Sequence, residues 1–388
     1  MAAPRSTSRR VRDAHRVARR RAAAPRSRRS APRSELLVLG ELNDRQVAEW
    51  RQLVRHAAEP NPFFDPDFVL PAAAGLRERV ALLVARDDDG WCGALPVQSP
   101  VRARGWGHAP VRGLVAWTHR YCFLGTPLVR SGAETPATRT LVDAGRRAGF
   151  LGLDLLRPEG PVTRGLREAA GQTPAFPVLE RAALLRGEDG WSLGLSRKRA
   201  RDLARRRRRL SEAAGAELQT VDRAGDPDAI EDFLALEASG WKGARGTALA
   251  SRPAHAELFR QVCRGFVRRG RLQLLSLRAD GRSYAMLCSL AAGDTLFQFK
   301  IAFDEEHASA GPGIQVEGDH VATLDAAFPE ARVVDTCADP SNEMANNLFP
   351  DRVRLERLAV PGPGLRGRAD AKLVRAALGT RTAIRRCR

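Results

Sequence analysis

Twice along this 388-residue chain the pattern of apolar and turn residues runs through one order of elements: two helices, antiparallel strands, a helix and a strand. In the first pass, Val47, Trp50, Leu53 and Val54 mark a helix from Asp44 to Ala58, capped by Asn43 or Asp44. The proline-locked loop Pro60–Pro66 leads to a short helix from Phe68 to Leu76. Runs Val80–Ala85 and Trp91–Gln98 form a hairpin, because Asp89-Gly90 supplies the positive φ angles a tight turn needs. Strands at Val111–Trp117 and Gly152–Leu156 flank a helix at Ala137–Ala148, and this α/β region ends near Leu185. The second pass gives helix Pro227–Ala238, a glycine-rich loop, helix Pro253–Arg269, strands Leu272–Leu277, Ser283–Ala291 and Thr295–Phe303, helix Gly313–Ala326 and strand Arg332–Asp335. The repeat is one of element order only. It predicts an α/β (α+β) chain of two mixed-sheet domains, 34–195 and 215–361, joined by an arginine-rich helix at 196–214.

The formal charge of +19 suggests a nucleic-acid protein until it is divided along the chain. Residues 1–33, 196–209 and 362–388 carry nets of +11, +8 and +7, which exceed the total and leave the remaining body at −7. The folded surface is therefore mildly acidic, and the basic excess belongs to two terminal segments and one helix. Arginine outnumbers lysine sixty to four. In such a chain Lys198, Lys242, Lys300 and Lys372 mark places where a compact ammonium is preferred.

Six well-separated cysteines without a CxxC pair read as reduced and mostly buried, and neither they nor the seven histidines show a zinc spacing, so no metal is expected. No stretch of about 18 apolar residues is present to span a bilayer. The N-terminus lacks the apolar core of a secretory signal, so a cytoplasmic location is expected. Residues 1–33 read as a disordered basic tail, a composition also compatible with an organellar transit peptide.

Four segments carry candidate chemistry. In Gly240-Trp241-Lys242-Gly243-Ala244-Arg245-Gly246 an amphipathic helix stops in a loop where glycines let a ligand approach the backbone. Lys242 is a catalytic candidate there, with Trp241 and Arg245 as substrate-binding ones; the plainer reading of Trp241 is a ring folded back on the core. In strand Thr295–Phe303, alternation puts Phe297, Phe299 and Ile301 on one face and Gln298, Lys300 and Ala302 on the other. Gln298 and Lys300 then line either a substrate cleft or a solvent-facing sheet surface. Ser309, Gly311, Gly313 and Ile314 lie where that strand turns into a helix, and free amides there suit a pyrophosphate, unless Gly-Pro-Gly is simply a turn. Asp304 and Asp335 stand at strand ends, with Cys337 beside the latter as a nucleophile only if a base such as His307 or His320 lies near.

Together these segments resemble the CelD-like acetyltransferase domain of the GNAT superfamily, akin to the FemAB group with two GNAT domains in tandem. The resemblance covers residues 34–360 and is strongest over 196–355: Ser196-Arg197-Lys198-Arg199, Gly240-Trp241-Lys242-Gly243, Lys300 to Asp304, and Asp335-Thr336-Cys337-Ala338 through Leu348-Phe349-Pro350-Asp351-Arg352. It implies two tandem GNAT-like domains, the second catalytic and the first degenerate, and an acyltransferase that carries an acyl group from acyl-CoA (acetyl-CoA) to an amine or hydroxyl. The acceptor implied is a small molecule or a sugar, lipid or cell-surface polysaccharide precursor. The family's phosphate motif opens on Arg or Gln, where this chain has Ala308. That departure leaves aminoacyl transfer from charged tRNA as an alternative, with the helix 197–209 on RNA phosphates, and beyond it a nonenzymatic binder of nucleic acid or an anionic membrane surface.

Overall fold

Strands from both halves of the chain join one thirteen-stranded sheet. The structure is a computed structural model that describes residues 30–103, 106 and 111–386, without the side chains of 375 and 377–386; most of the expected basic tail lies outside the described residues. The first half runs β1 (Arg33–Val38), α1 (Asp44–Arg55), α2 (Pro66–Leu76), β2 (Ala81–Asp87), β3 (Gly90–Gln98), β4 (Leu114–Ala116), β5 (Leu128–Val129), α3 (Glu134–Ala148), β6 (Phe150–Leu156), α4 (Pro161–Ala170) and β7 (Ala175–Leu185). Helix α5 (Arg197–Ala214) leads to β8 (Gln219–Asp222), α6 (Ala229–Ser239), the single turn α7 (Trp241–Ala244), α8 (Pro253–Val267), β9 (Leu272–Ala279), β10 (Arg282–Ala292) and β11 (Thr295–Phe303). Then come α9 (Pro312–Ala327), β12 (Val333–Asp335), α10 (Glu343–Leu348), β13 (Asp351–Pro361) and α11 (Gly364–Arg386).

Local chemistry explains the element boundaries. Asn43 and Gln46 form a reciprocal capping box at the start of α1. Ser196 caps α5 by accepting from the Arg199 amide, and Gly215 ends that helix at φ +67°. Gly90 takes φ +103° in the β2–β3 turn.

The strand order is β1-β2-β3-β4-β6-β13-β7-β12-β11-β10-β9-β8, with β5 on β3. Each half has a parallel pair, β4–β6 in the first and β11–β12 in the second. Beyond that pair the halves exchange strands: β13 sits between β6 and β7, while β7 sits between β13 and β12. The architecture is therefore two similar mixed-sheet units, each completed by the last strand of the other.

The core is shared in the same way. Phe63, Phe68 and Phe123 of the first half pack edge-on against Phe297 or Phe299 of the second, with ring centroids 5.4–6.3 Å apart. Helices α2 and α8 meet backbone to backbone: a Cβ on Gly75 would lie 2.8 Å from the Ala254 carbonyl oxygen. Asp65 and Asp67, at the start of α2, bind Arg271 at 2.6 Å and Arg269 at 2.8 Å across the same seam. No helix of the described residues is long and apolar enough to cross a membrane.

Candidate active site

The pairing of β10 with β11 sets Gln298 opposite Ser289 and Lys300 opposite Cys288, so Phe299 is an extra, bulged residue. The bulge overturns the expected alternation. Phe297, Phe299 and Ala302 pack into the large core, while Ile301 and Phe303 pack on the other face with Leu210 and Val316. Lys300 lies with the first group, its ammonium 4.9 Å from the centre of the Tyr121 ring and 5.8 Å from that of Phe299. Gln298 is on the opposite face, where its amide donates to Glu317 and lies 3.1 Å from His320 Nδ1. The two residues do not share one surface, because one inserted residue reverses the parity of every side chain after it.

Lys300 is a half-buried lysine in mixed company. Burial lowers its pKa to about 8; Glu237 resists that shift, while Lys242 and Arg120 add to it. Burial of Glu317, partly offset by its bond from Gln298, raises that carboxyl to about 8, and burial lowers His320 to about 4. Gln298 thus serves a buried polar group rather than a cleft.

Around Lys300 converge α6, α7, α8 and a loop of the first half. Lys242 Nζ donates to Glu237 Oε1 at 3.0 Å and to the Ile301 carbonyl at 3.2 Å. The second oxygen of Glu237 accepts from the Leu249 amide at 2.7 Å. The amides of Thr247 and Ala248 in turn close on the Lys242 carbonyl. Lys242 is therefore the latch that folds the glycine-rich loop onto β11. From the first half comes Tyr121, whose hydroxyl lies 2.9 Å from His255 Nδ1 at the start of α8. Glu237, Tyr121 and His255 escape sequence reading. Tyr121 is one of only two tyrosines, a signal of rarity, yet nothing along the chain links it to residues more than a hundred positions away.

Trp241 does not fold back on the core. It is 48% exposed, with the Arg245 guanidinium 5.2 Å from its ring centre. Its amide donates to Glu305 at 2.8 Å, tying the loop to the turn after β11. Beside it opens a cleft of about 450 Å³ lined in part by Asp232, Arg282, Asp304, Glu305 and Glu306.

Asp304 ends β11 and is fully engaged, with the Arg282 guanidinium at 2.5 Å, His307 Nδ1 at 3.0 Å and the Glu306 amide at 3.0 Å. Asp304, Glu306 and His307 lie close enough to share a cation, but Arg282 already contacts both carboxylates. Asp335 is completely buried and receives a two-pronged bond from Arg181 of β7, at 2.6 and 2.7 Å. Burial pushes its carboxyl up, yet Arg181 and Arg157 bring the balance below the ordinary value. Next to it, burial and the Asp335 charge push the Cys337 thiol well up. His307 and His320 bond to Asp304 and Gln298 instead, so no base activates that sulfur among the described residues.

The start of α9 has the geometry read from its sequence. Gly311 adopts φ +67°, and the first helical bond is Gln315 N–H to the Gly311 carbonyl at 3.1 Å. Pro312 has no N–H, and the Gly313 and Ile314 amides find no acceptor among the described residues. A Cβ on Gly313 would sit 3.5 Å from Phe303 and 3.9 Å from Ile301. Exposed Ser309 precedes this turn, and Arg206 of α5 donates to its carbonyl at 2.9 Å. Beside α9, β11 pairs with β12 only over Thr295–Phe297 and then runs on without it. Free amides at a helix start suit an anionic group.

Residues 197–327 match the family described as "Acetyltransferase (GNAT) domain", a span that opens with α5 and ends with α9. The C-terminal domain (DUF2156) of a putative lysylphosphatidylglycerol synthetase from Agrobacterium fabrum is 12% identical, covering 86% of this chain and 96% of that one at a TM-score of 0.52. L-PGS from Bacillus licheniformis is 11% identical, with 87% and 97% covered and a TM-score of 0.51. A conserved protein of unknown function from Bacteroides thetaiotaomicron VPI-5482 is 11% identical, with 82% and 99% covered and a TM-score of 0.52. A search of curated proteins gives no match. At these identities the likeness is one of fold, and the GNAT match is confined to residues 197–327, in the second half of the chain.

Proposed function

We propose that this chain transfers an acyl group from acyl-CoA to an amine or hydroxyl of a sugar, lipid or polysaccharide precursor, with the chemistry in the second half, as in the CelD-like domains it resembles. The observation that carries the reading is a coincidence within one segment of the chain. The matched GNAT segment contains both the free amides of Gly313 and Ile314 and, on the strand feeding that helix, the partly charged Lys300. In this reading the α9 start takes the pyrophosphate, and the Lys300 ammonium with the Tyr121 hydroxyl stabilises the oxyanion of the tetrahedral intermediate. Lys242 positions the strand through its bond to the Ile301 carbonyl. The first half serves as partner: at the start of α3 the Glu134 carboxylate already accepts from the Gly132 amide at 3.0 Å, placing negative charge where a phosphate would sit.

A second reading is aminoacyl transfer from charged tRNA. Ala308 replaces the basic or amide residue of the usual phosphate motif, and the arginine-rich α5 packs beside the α9 start through Arg206. Two of the similar folds are named for lysylphosphatidylglycerol synthesis or as L-PGS. Thermal unfolding of the full chain with acetyl-CoA and longer acyl-CoAs separates the readings. Ligand at about 100 Kd adds roughly 2.7 kcal/mol, and Ser309→Glu, an exposed change beside the α9 amides, abolishes the shift while leaving the unliganded transition in place. No shift with any acyl-CoA removes the first reading and moves the test to charged tRNA.

A further inference from the structure

The last helix turns an apolar stripe to solvent. α11 lies over β6 and β13, seated by Gly367, Ala371 and Val374, which are buried at positions one helical turn apart. Val374 enters the apolar cluster of Ala103, Trp106 and Phe150. A Cβ on Gly367 would strike the Gly362 carbonyl oxygen, and one on Gly362 that of Gly149, so the start of the helix is pressed against the turn between α3 and β6. A helix seated on one face ordinarily shows a charged outer face. Here Leu365, Ala369 and Leu373 run along the side opposite the seat, Leu365 83% and Leu373 60% exposed. Exposed Arg366 borders the stripe on one flank, and exposed Arg368 and Lys372 on the other. Arg102 and Arg112, also exposed, adjoin Ala103 and Val111 of the cluster under Val374. None of these five cations makes an ion pair among the described residues. Asp370 is the one acid between residues 362 and 388, against eight basic residues.

We propose that this outer face of α11 docks on an anionic lipid surface, with Leu365 and Leu373 entering the boundary between headgroups and acyl chains and the flanking cations lying on lipid phosphates. The chemistry selects that occupant. A bilayer surface buries the leucines and neutralises the cations in one contact, and both contributions add. A nucleic acid would answer the cations but leave the stripe against phosphate and water. A second copy packed about a two-fold axis would bring like-charged flanks together. The helix would lie along the surface, since no described helix is long and apolar enough to cross it. The proposal goes beyond the acyltransferase reading and does not depend on it.

The test is sedimentation of the full chain with vesicles of phosphatidylcholine, alone or with about 30 mol% phosphatidylglycerol. Binding to the anionic vesicles is expected to be at least about tenfold tighter, and to weaken as salt rises. The arginine-rich first 33 residues contribute to that salt-sensitive part, so the leucines make the decisive comparison. Leu365→Ser/Leu373→Ser is expected to bind at least about tenfold more weakly. Leu36→Ser/Val38→Ser, which removes exposed apolar side chains from β1, binds as the wild type. Arg366→Gln/Lys372→Gln is expected to lose at least about tenfold, and Arg45→Gln/Arg139→Gln, at two other exposed arginines, to lose nothing. Every substituted side chain is exposed, so an unchanged Tm verifies that each variant folds. Equal binding to the two kinds of vesicle would overturn the proposal. Undiminished binding by Leu365→Ser/Leu373→Ser would do the same and leave the contact to the terminal arginines. So would a leucine-dependent dimer in analytical ultracentrifugation without vesicle binding, or capture of single-stranded RNA in preference to vesicles. The acetyl-CoA shift is expected to persist in all these variants, so failure of the docking surface and failure of the acyl-CoA reading are told apart.

Discussion

Lys300 is the residue whose protonation decides most. The folded chain releases its proton near pH 8, whereas the unfolded chain holds it to the ordinary value of 10.5. Between those values the unfolded state binds more protons, so stability rises with pH across that window. Lys300→Met removes the slope: it is expected to exceed the wild type by about 1–3 kcal/mol at pH 7, with the gap closing toward pH 10. Urea unfolding at several pH values reads this, and a gap that stays constant would refute the buried ammonium. The same variant should lose about 100-fold in kcat if the ammonium meets the oxyanion. Asp335 is a different kind of residue despite its place at a strand end. Asp335→Asn leaves Arg181 charged and buried and is expected to cost about 3–5 kcal/mol. Recovery in an Asp335→Leu/Arg181→Met double variant, measured by chemical unfolding, would mark the pair as a bolt between β7 and β12.

Among the elements, β11 and the α2–α8 contact bear the most weight. The Phe299 bulge aims Lys300 at the seam, and sequence periodicity cannot see it, because a bulge is a property of the pairing with β10. The glycine-rich loop was legible as a loop with an unusual lysine, but the role of Lys242 depends on Glu237 and on the Ile301 carbonyl. The α2–α8 crossing tolerates no side chain at Gly75, since the obstructing atom is a backbone oxygen at 2.8 Å. Gly75→Ala is therefore expected to destabilise by about 1–3 kcal/mol. Calorimetry would read it as a lower Tm; no change would mean that the two helices slide apart freely.

For the whole molecule, strand exchange makes the halves interdependent. β13 has its neighbours β6 and β7 in the first half, and β7 has β12 in the second. The full chain is expected to unfold in one calorimetric transition, and residues 196–388 expressed alone to lack a cooperative one, because β13 then has no ladder partner. Two resolved transitions would contradict this. The repeated order of elements, the extents of α5 and β11, the turn into α9 and the burial of the described cysteines were all readable from the sequence, since each rests on local spacing, apolar context or turn chemistry. β1, β5, β7, β8 and β13 were not called out by that reading, β7 carrying Pro177, Glu180 and Arg181 where a buried strand would be apolar. What only the tertiary structure decided was which strand fills which gap, the parity of β11 after its bulge, and the meeting of Tyr121 and Arg120 with Lys300 and His255. Those are relations between residues far apart in the chain, set by pairing and shared burial rather than by neighbours.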